Sequence, residues 1–384
     1  MRRQTLYAIG LIVLLILTTL QLVDLPNRAA PSEIQAINNA RSIQSISDNP
    51  LFLPYKLAVF VVVSFFDSVH AVRAISVAIF GLAVVALYRV IKRWHGDKSA
   101  LFTTILFATS AYGLAVARLA EPLVMLLCWP IIIALLLWLQ HGKSKLVAPF
   151  SLVVISAGLL YVPGAPYFFL LLFVMFSTHI KDTLRKVTTK SILIGIVFGV
   201  LIASPLLMSF AQNTSLIRDW LLVPQNIQWS DIAQNILRVP SAFIYRAPID
   251  PLLNVGRLPL LDVASGGLLL IGLYAYRKNT KLERTKIFII IGFFALIIGA
   301  LGALTPAIII LLPFVYALIA AGISYLIDQW YAVFPKNPFA RSFGLVLVVC
   351  IVAASSFYQL NRFLVVWPQT PETRALYTES RLIQ

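Results

Sequence analysis

Apolar runs close to twenty residues long recur from one end of this chain to the other, and no other feature limits its fold so sharply. A helix of about 20 residues rises ~30 Å, the thickness of the hydrocarbon core of a bilayer. In that medium backbone polar groups must be satisfied within the segment or around a closed barrel. The runs are continuous rather than alternating, which excludes a β-barrel and leaves an all-α, polytopic membrane protein. Spans fall at about 6–23, 70–88, 99–117, 122–140, 147–162, 166–180, 191–210, 259–276, 287–303, 306–326 and 342–360, giving about 11 transmembrane helices. The first follows Met1-Arg2-Arg3 and has no convincing small-residue cleavage site, so it is expected to stay as an anchor.

Charge fixes the expected orientation. The formal net charge is +16, from 31 Lys and Arg against 15 Asp and Glu. With the N-terminus in the cytoplasm, 19 of the bases and only four of the acids face that side, so the other face is nearly neutral. The basic balance therefore reads as the positive-inside rule and not as a nucleic-acid footprint. A multi-pass protein of the cell membrane results, N-terminus cytoplasmic and C-terminus external.

The same bookkeeping assigns the segments between spans. If the run Leu51 to Phe66 crossed the bilayer, Arg89, Lys92 and Arg93 would move outside and the bias would collapse. The run is short for a span and contains Pro54 and Lys56. It is expected as a helix in the outer interface, with Lys56 snorkelling to water. Residues 24–70 then form a first external loop with two surface helices, 211–258 a second long external loop, and 361–384 a short external tail. All belong to one transmembrane domain spanning 1–384. Cys128 and Cys350 fall inside spans and offer no disulfide framework. Neither the scattered histidines nor the single acids of the loops have metal-ligand spacing, so no metal or other cofactor is expected.

Within the first loop, Ser32 followed by Gln35 has the pattern of a capping box, with Ser32 as N-cap. Glu33 then lies in the first helical turn, where the helix dipole favours its charged form. Helix starts are rich in acids, so capping alone would account for it. Other polar residues are expected at the same face: Arg73 and Arg118 at span ends, Glu121 in the next turn, and Lys56, Tyr161 and Arg246. Each has an ordinary alternative. The arginines can snorkel to lipid headgroups, Glu121 can pair with Arg118 across its turn, and Tyr161 can belong to an interfacial aromatic belt.

Four short motifs in order bring a family into view. Val72-Arg73-Ala74-Ile75-Ser76-Val77-Ala78-Ile79-Phe80-Gly81 resembles the helix opening after the first loop of GT-C glycosyltransferases, in the family 39-like branch with protein O-mannosyltransferases and lipid A aminoarabinose transferases. Ser32-Glu33-Ile34-Gln35-Ala36 resembles the acidic motif of that loop, with one carboxylate where a doublet is usual, and Pro54-Tyr55-Lys56 resembles the segment that follows. Ala117-Arg118-Leu119-Ala120-Glu121-Pro122 is similar to the turn between the third and fourth spans, and Gly158 to Gly164 to the end of the fifth. The likeness covers about residues 1–210 by motif and the remainder by hydropathy alone.

The resemblance implies a GT-C-like fold and an enzyme that moves a sugar from a polyprenyl-phosphate donor to a glycan, lipid or protein acceptor at the outer face. It implies Glu33 as general base, with Lys56, Arg73, Arg118, Glu121, Tyr161 and Arg246 binding substrate. Direct displacement needs a base for the acceptor proton and cations for the leaving phosphate, and these residue types supply both. The other classes compatible with such a chain are a transporter or flippase and a non-catalytic membrane protein of the same fold. The spans hold almost no buried charge and no paired broken helices, which argues against transport.

Overall fold

The computed structural model describes residues 29–66, 68–141, 147–170, 189–224, 229–277 and 282–379, with isolated positions in the first apolar run and residue 173. The expected spans at 6–23 and 166–180, and the basic residues Lys143, Lys145, Lys181, Arg185, Lys186, Lys278 and Lys281, lie wholly or largely outside these. Among the described residues every element is helical, and the chain is a multi-pass membrane protein.

The first loop opens with two short helices, α1 (Pro31–Asn38) and α2 (Ile43–Asp48), followed by the apolar α3 (Leu53–Phe65) where the interfacial helix was expected. The longest element, α4 (Val69–Ala108), contains the 70–88 span and the start of the next. It is not straight. Gly96 adopts φ 84°, ψ 174°, a conformation that is essentially closed to residues with a Cβ. The rings of Phe80 and Phe107 lie 5.3 Å apart, whereas 27 residues of unbroken helix would separate them by ~40 Å. The chain therefore doubles back at Gly96, and the limb of α4 after it runs back beside the first. A break at Thr109 and Ser110 leads into α5 (Ala111–Arg118).

A 3-10 segment, Pro122–Leu127, precedes α6 (Trp129–His141), and α7 is Val147–Leu159. Then come α8 (Thr189–Gln212), α9 (Ser215–Trp220), α10 (Ile232–Ile244), α11 (Val263–Arg277), α12 (Glu283–Ala300), α13 (Leu304–Val333) and α14 (Pro338–Asn361). Four of these elements are long and apolar enough to cross a membrane whole, namely α4, α8, α13 and the run from Pro338 to Gln369.

The centre of the bundle is α13, apolar all round and buried on most of its surface, with α4, α10, α11, α12 and α14 packed against it. Uniform apolarity is what a helix without a wet face requires. Its contact with α11 is backbone to backbone. A Cβ on Gly272 would lie 2.0 Å from the Leu318 carbonyl oxygen, and one on Gly322 2.1 Å from that of Leu268. Small residues that let helices approach this closely are the usual device in membranes.

The tail expected as a short external extension is instead folded. A π-helical turn, Arg362–Val366, leads through Trp367–Gln369 into a last helix, α15 (Pro371–Glu379). Trp367 and Tyr377 are buried there against Ala30, just ahead of α1.

Candidate active site

Glu33 is the hub of a buried charged centre. It is 0% exposed, and four donors surround it. Its Oε1 accepts from Arg73 Nε and from the Ala120 backbone N–H, both at 2.8 Å. Its Oε2 accepts from Arg73 Nη2 at 2.6 Å and from the Ala30 N–H at 2.9 Å. One carboxylate thus ties the start of α1 to α4 and to the turn after α5.

The capping arrangement differs from the expected one. Pro31 occupies the first helical position, where its missing N–H costs nothing. This moves the N-cap back to Ala30, whose N–H is held by Glu33 at N3. The Ser32 hydroxyl makes no cap and has no hydrogen-bond partner.

Burial alone would raise the proton affinity of Glu33. The charge and hydrogen bonds of Arg73, the charge of Arg118 and the Ala120 N–H together outweigh it, and the carboxyl is held below its ordinary range.

Arg118 is also 0% exposed. It does not form the ion pair with Glu121 that their spacing allows. Nη1 donates to Tyr377 Oη at 2.9 Å and Nη2 to the Leu252 carbonyl at 2.7 Å, while its guanidinium carbon lies 3.8 Å from the Trp367 ring centroid. Such desolvated stacking is the strong form of a cation–π contact. Trp367 Nε1 is anchored to the Pro251 carbonyl at 2.9 Å and Thr373 Oγ1 to the same oxygen at 3.1 Å. The end of the chain and the 250–254 segment together form the wall over Arg118.

Glu121, next to Ala120, is 9% exposed, and its Oε1 has no hydrogen-bond partner. Burial raises its proton affinity. The Ser32 hydroxyl lowers it again, the negative charges of Glu33 and Asp250 raise it further, and Arg118 opposes them, leaving the group above its ordinary range. Asp250 is shifted the same way, first by burial.

No protein-family description and no curated protein sequence matches this chain. Solved structures do. ArnT from Cupriavidus metallidurans bound to undecaprenyl phosphate superposes with a TM-score of 0.55 at 11% identity, over 98% of this chain and 77% of that one. The apo state of the same protein gives 0.56 at 11% identity, over 98% and 76%. The chain shares the fold of these ArnT structures.

On this frame the remaining residues singled out in the sequence divide. Lys56 does not snorkel. It is 9% exposed, and its ammonium turns back to the Asn49 carbonyl at 2.5 Å, an acceptor supplied by the loop after α2. Arg246 is exposed at the end of α10, and no hydrogen bond or ion pair joins it to Glu33, Arg73 or Arg118 among the described contacts.

Tyr161 is buried, donates to the Ile202 carbonyl and lines a different feature. This is an apolar cavity of about 730 Å³ between α3, α4, α6 and α7. Along α4 it runs from Ile75 to Arg89, a length of ~21 Å. Tyr55 joins the two places: it lines the cavity and exchanges a hydrogen bond with Ser76 on α4 at 2.9 Å, one turn beyond Arg73. Among the described residues no group of three or more His, Cys, Asp or Glu could hold a metal ion.

Trp367, Tyr377 and Asp250 were not anticipated in the sequence. The local signs of them were large aromatics in a tail of mixed apolar and polar residues, and an Asp-Pro step in a loop.

Proposed function

We propose that this chain is an integral-membrane glycosyltransferase that moves a sugar from a polyprenyl-phosphate donor to a hydroxyl-bearing acceptor at the external face. One observation carries the reading. Seven buried side-chain nitrogen and oxygen atoms lack a hydrogen-bond partner among the described residues, and four of them surround Glu33: Ser32 Oγ, Arg73 Nη1, Arg118 Nε and Glu121 Oε1. Leaving a buried polar group unpaired costs about 1–3 kcal/mol, more if charged. Folded chains rarely tolerate a cluster of them without a use. Two guanidinium donors and one carboxylate acceptor match what glycosyl transfer from a phosphate demands.

In this reading Arg73 and Arg118 hold the phosphate, whose negative charge grows as the bond to the sugar breaks. Fixed donors in a dry site stabilise that charge without reorganising. Glu33 keeps Arg73 in place by a two-point contact, the geometry in which arginine is hard to replace. The apolar cavity beside Tyr55 takes the first part of the polyprenyl chain. Its length fits a lipid tail entering from the site toward the middle of the bilayer, and its walls carry almost no polar surface. ArnT bound to undecaprenyl phosphate, on the same fold, supports a carrier lipid of this kind. The orientation, with the charged centre outside and the turn at Gly96 inside, follows the positive-inside bias.

The test uses full-length protein in sealed vesicles with radiolabelled undecaprenyl-phosphate-linked mannose, glucose and aminoarabinose. Release of the sugar to water or to added membrane extract is expected with at least one donor. Movement of intact donor across the vesicle wall without cleavage would overturn the reading in favour of a flippase.

A further inference from the structure

Two carboxylates meet at the charged centre, and their surroundings separate their roles. Glu33 has no capacity left, since each oxygen already accepts two hydrogen bonds and neither is exposed. To take a proton it would have to release Arg73 or a backbone N–H that closes the fold. Glu121 is differently placed. It stands in extended backbone, φ −129° and ψ 150°, immediately before the 3-10 segment at Pro122. The fixed φ of Pro122 and the Ala120 N–H bond to Glu33 hold that turn. Glu121 Oε1 is buried and has no partner.

Resting on the transfer reading above, we propose that Glu121 is the catalytic base that accepts the acceptor's hydroxyl proton, and that Glu33 is a positioning residue acting through Arg73. The proton of the acceptor O–H moves to Glu121 Oε1. The acceptor oxygen forms its bond to the anomeric carbon of the sugar. The bond from that carbon to the phosphate oxygen breaks, and its electron pair leaves with the polyprenyl phosphate between Arg73 Nη1 and Arg118 Nε.

The ionisable groups around Glu121 favour this division. Burial, with the charges of Glu33 and Asp250, raises its affinity for a proton against the opposing Ser32 and Arg118, whereas Glu33 is held below its ordinary range, so Glu121 is the better acceptor of the two. A base works best when its pKa approaches the working pH.

Substitution in the full-length protein tests the assignment. The assay is turnover of radiolabelled undecaprenyl-phosphate-linked mannose, glucose and aminoarabinose, alongside binding of undecaprenyl phosphate and thermal melting. Glu121→Gln should lower turnover by about 10²–10⁴-fold, the usual contribution of a general base, with carrier binding and melting temperature unchanged. Near-normal turnover by a folded Glu121→Gln protein would overturn the assignment while leaving the transfer reading intact. A wild-type protein that cleaves none of the donors would overturn both. If Glu121→Gln does not fold, Glu121→Asp decides. An acidic limb of the rate–pH profile that moves with this change supports the base, and one that stays where wild type has it removes Glu121 from that role.

Discussion

Arg73 with Glu33 and Lys92 with Asp97 are ion pairs on the same long helix, α4, and both close at 2.6 Å. The first pair is 1% and 0% exposed; the second is 49% and 69% exposed. Around Arg73 solvent has almost no access, backbone N–H groups complete the carboxylate, and forty residues of sequence separate the partners. Around Lys92 the partners are five residues apart beside the turn at Gly96, and solvent reaches both. Equal distance therefore carries no information about worth. Burial decides it, because removing one partner of a buried pair leaves a charge that nothing compensates.

Breaking the buried pair should give the largest effect of any surface-neutral substitution. Arg73→Met or Glu33→Gln is expected to cost about 3–5 kcal/mol, read from unfolding of the detergent-solubilised protein. The double change Glu33→Gln with Arg73→Met should recover much of that loss, because neither charge is then stranded. A double variant as unstable as the sum of the singles would show that the two residues are not energetically coupled.

The pair also sets an acid limit. The folded-state proton affinity of Glu33 is depressed, so its stabilisation is complete above the unfolded carboxylate pKa of ~4.3 and is lost as pH falls through the lower folded value. Arg73→Met removes the largest of the causes that hold it down and leaves burial opposed only by the charge of Arg118 and the Ala120 N–H. The folded value is expected to rise above the unfolded one. Stability in this variant should fall as pH rises through the raised value, the opposite slope to wild type. Melting temperatures from pH 4 to pH 8 for the two proteins test this, and parallel curves would refute it.

These expectations show what was legible in the sequence. The helical class and most apolar helices came from runs of apolar residues, a local property that a bilayer enforces segment by segment. Arg73, Arg118 and Glu121 stood out as charges at span ends, where charge is expensive, and the structure brings all three to Glu33. What could not be read is who pairs with whom. Whether Arg118 meets Glu121, three residues on, or Tyr377 far along the chain depends on how the segment from Arg362 to Glu379 packs. The cap was missed for a smaller reason. Ser32 and Gln35 fit the pattern, but Pro31 fixed the start of α1 two positions too early for Ser32 to serve.

The wall over Arg118 tests whether the buried region is a single unit. Trp367→Leu keeps an apolar side chain but loses the cation–π contact and the bond to Pro251. A loss of about 2 kcal/mol is expected, the value of a desolvated contact of this kind, measured by the same unfolding assay. A change within error would mean that the end of the chain merely lies on the centre without stabilising it.

Lys92→Met should have the smallest effect, and its size sharpens the comparison from the other side. Both partners keep most of their water, so the Coulomb attraction is weak, and ordering a long lysine offsets part of it. Such pairs contribute about 0.2–1 kcal/mol in dilute salt. At 1 M salt the screening length falls to ~3 Å, comparable to the 2.6 Å separation, and little of that should remain. The buried pair has no ions between its partners to screen it, so the cost of Glu33→Gln should hardly change over the same range. Melting temperatures of the two variants in low and high salt, each against wild type in the same buffer, give the comparison directly. If Lys92→Met proves as costly as Glu33→Gln, or if both lose their effect together in salt, then burial is not what distinguishes the two pairs.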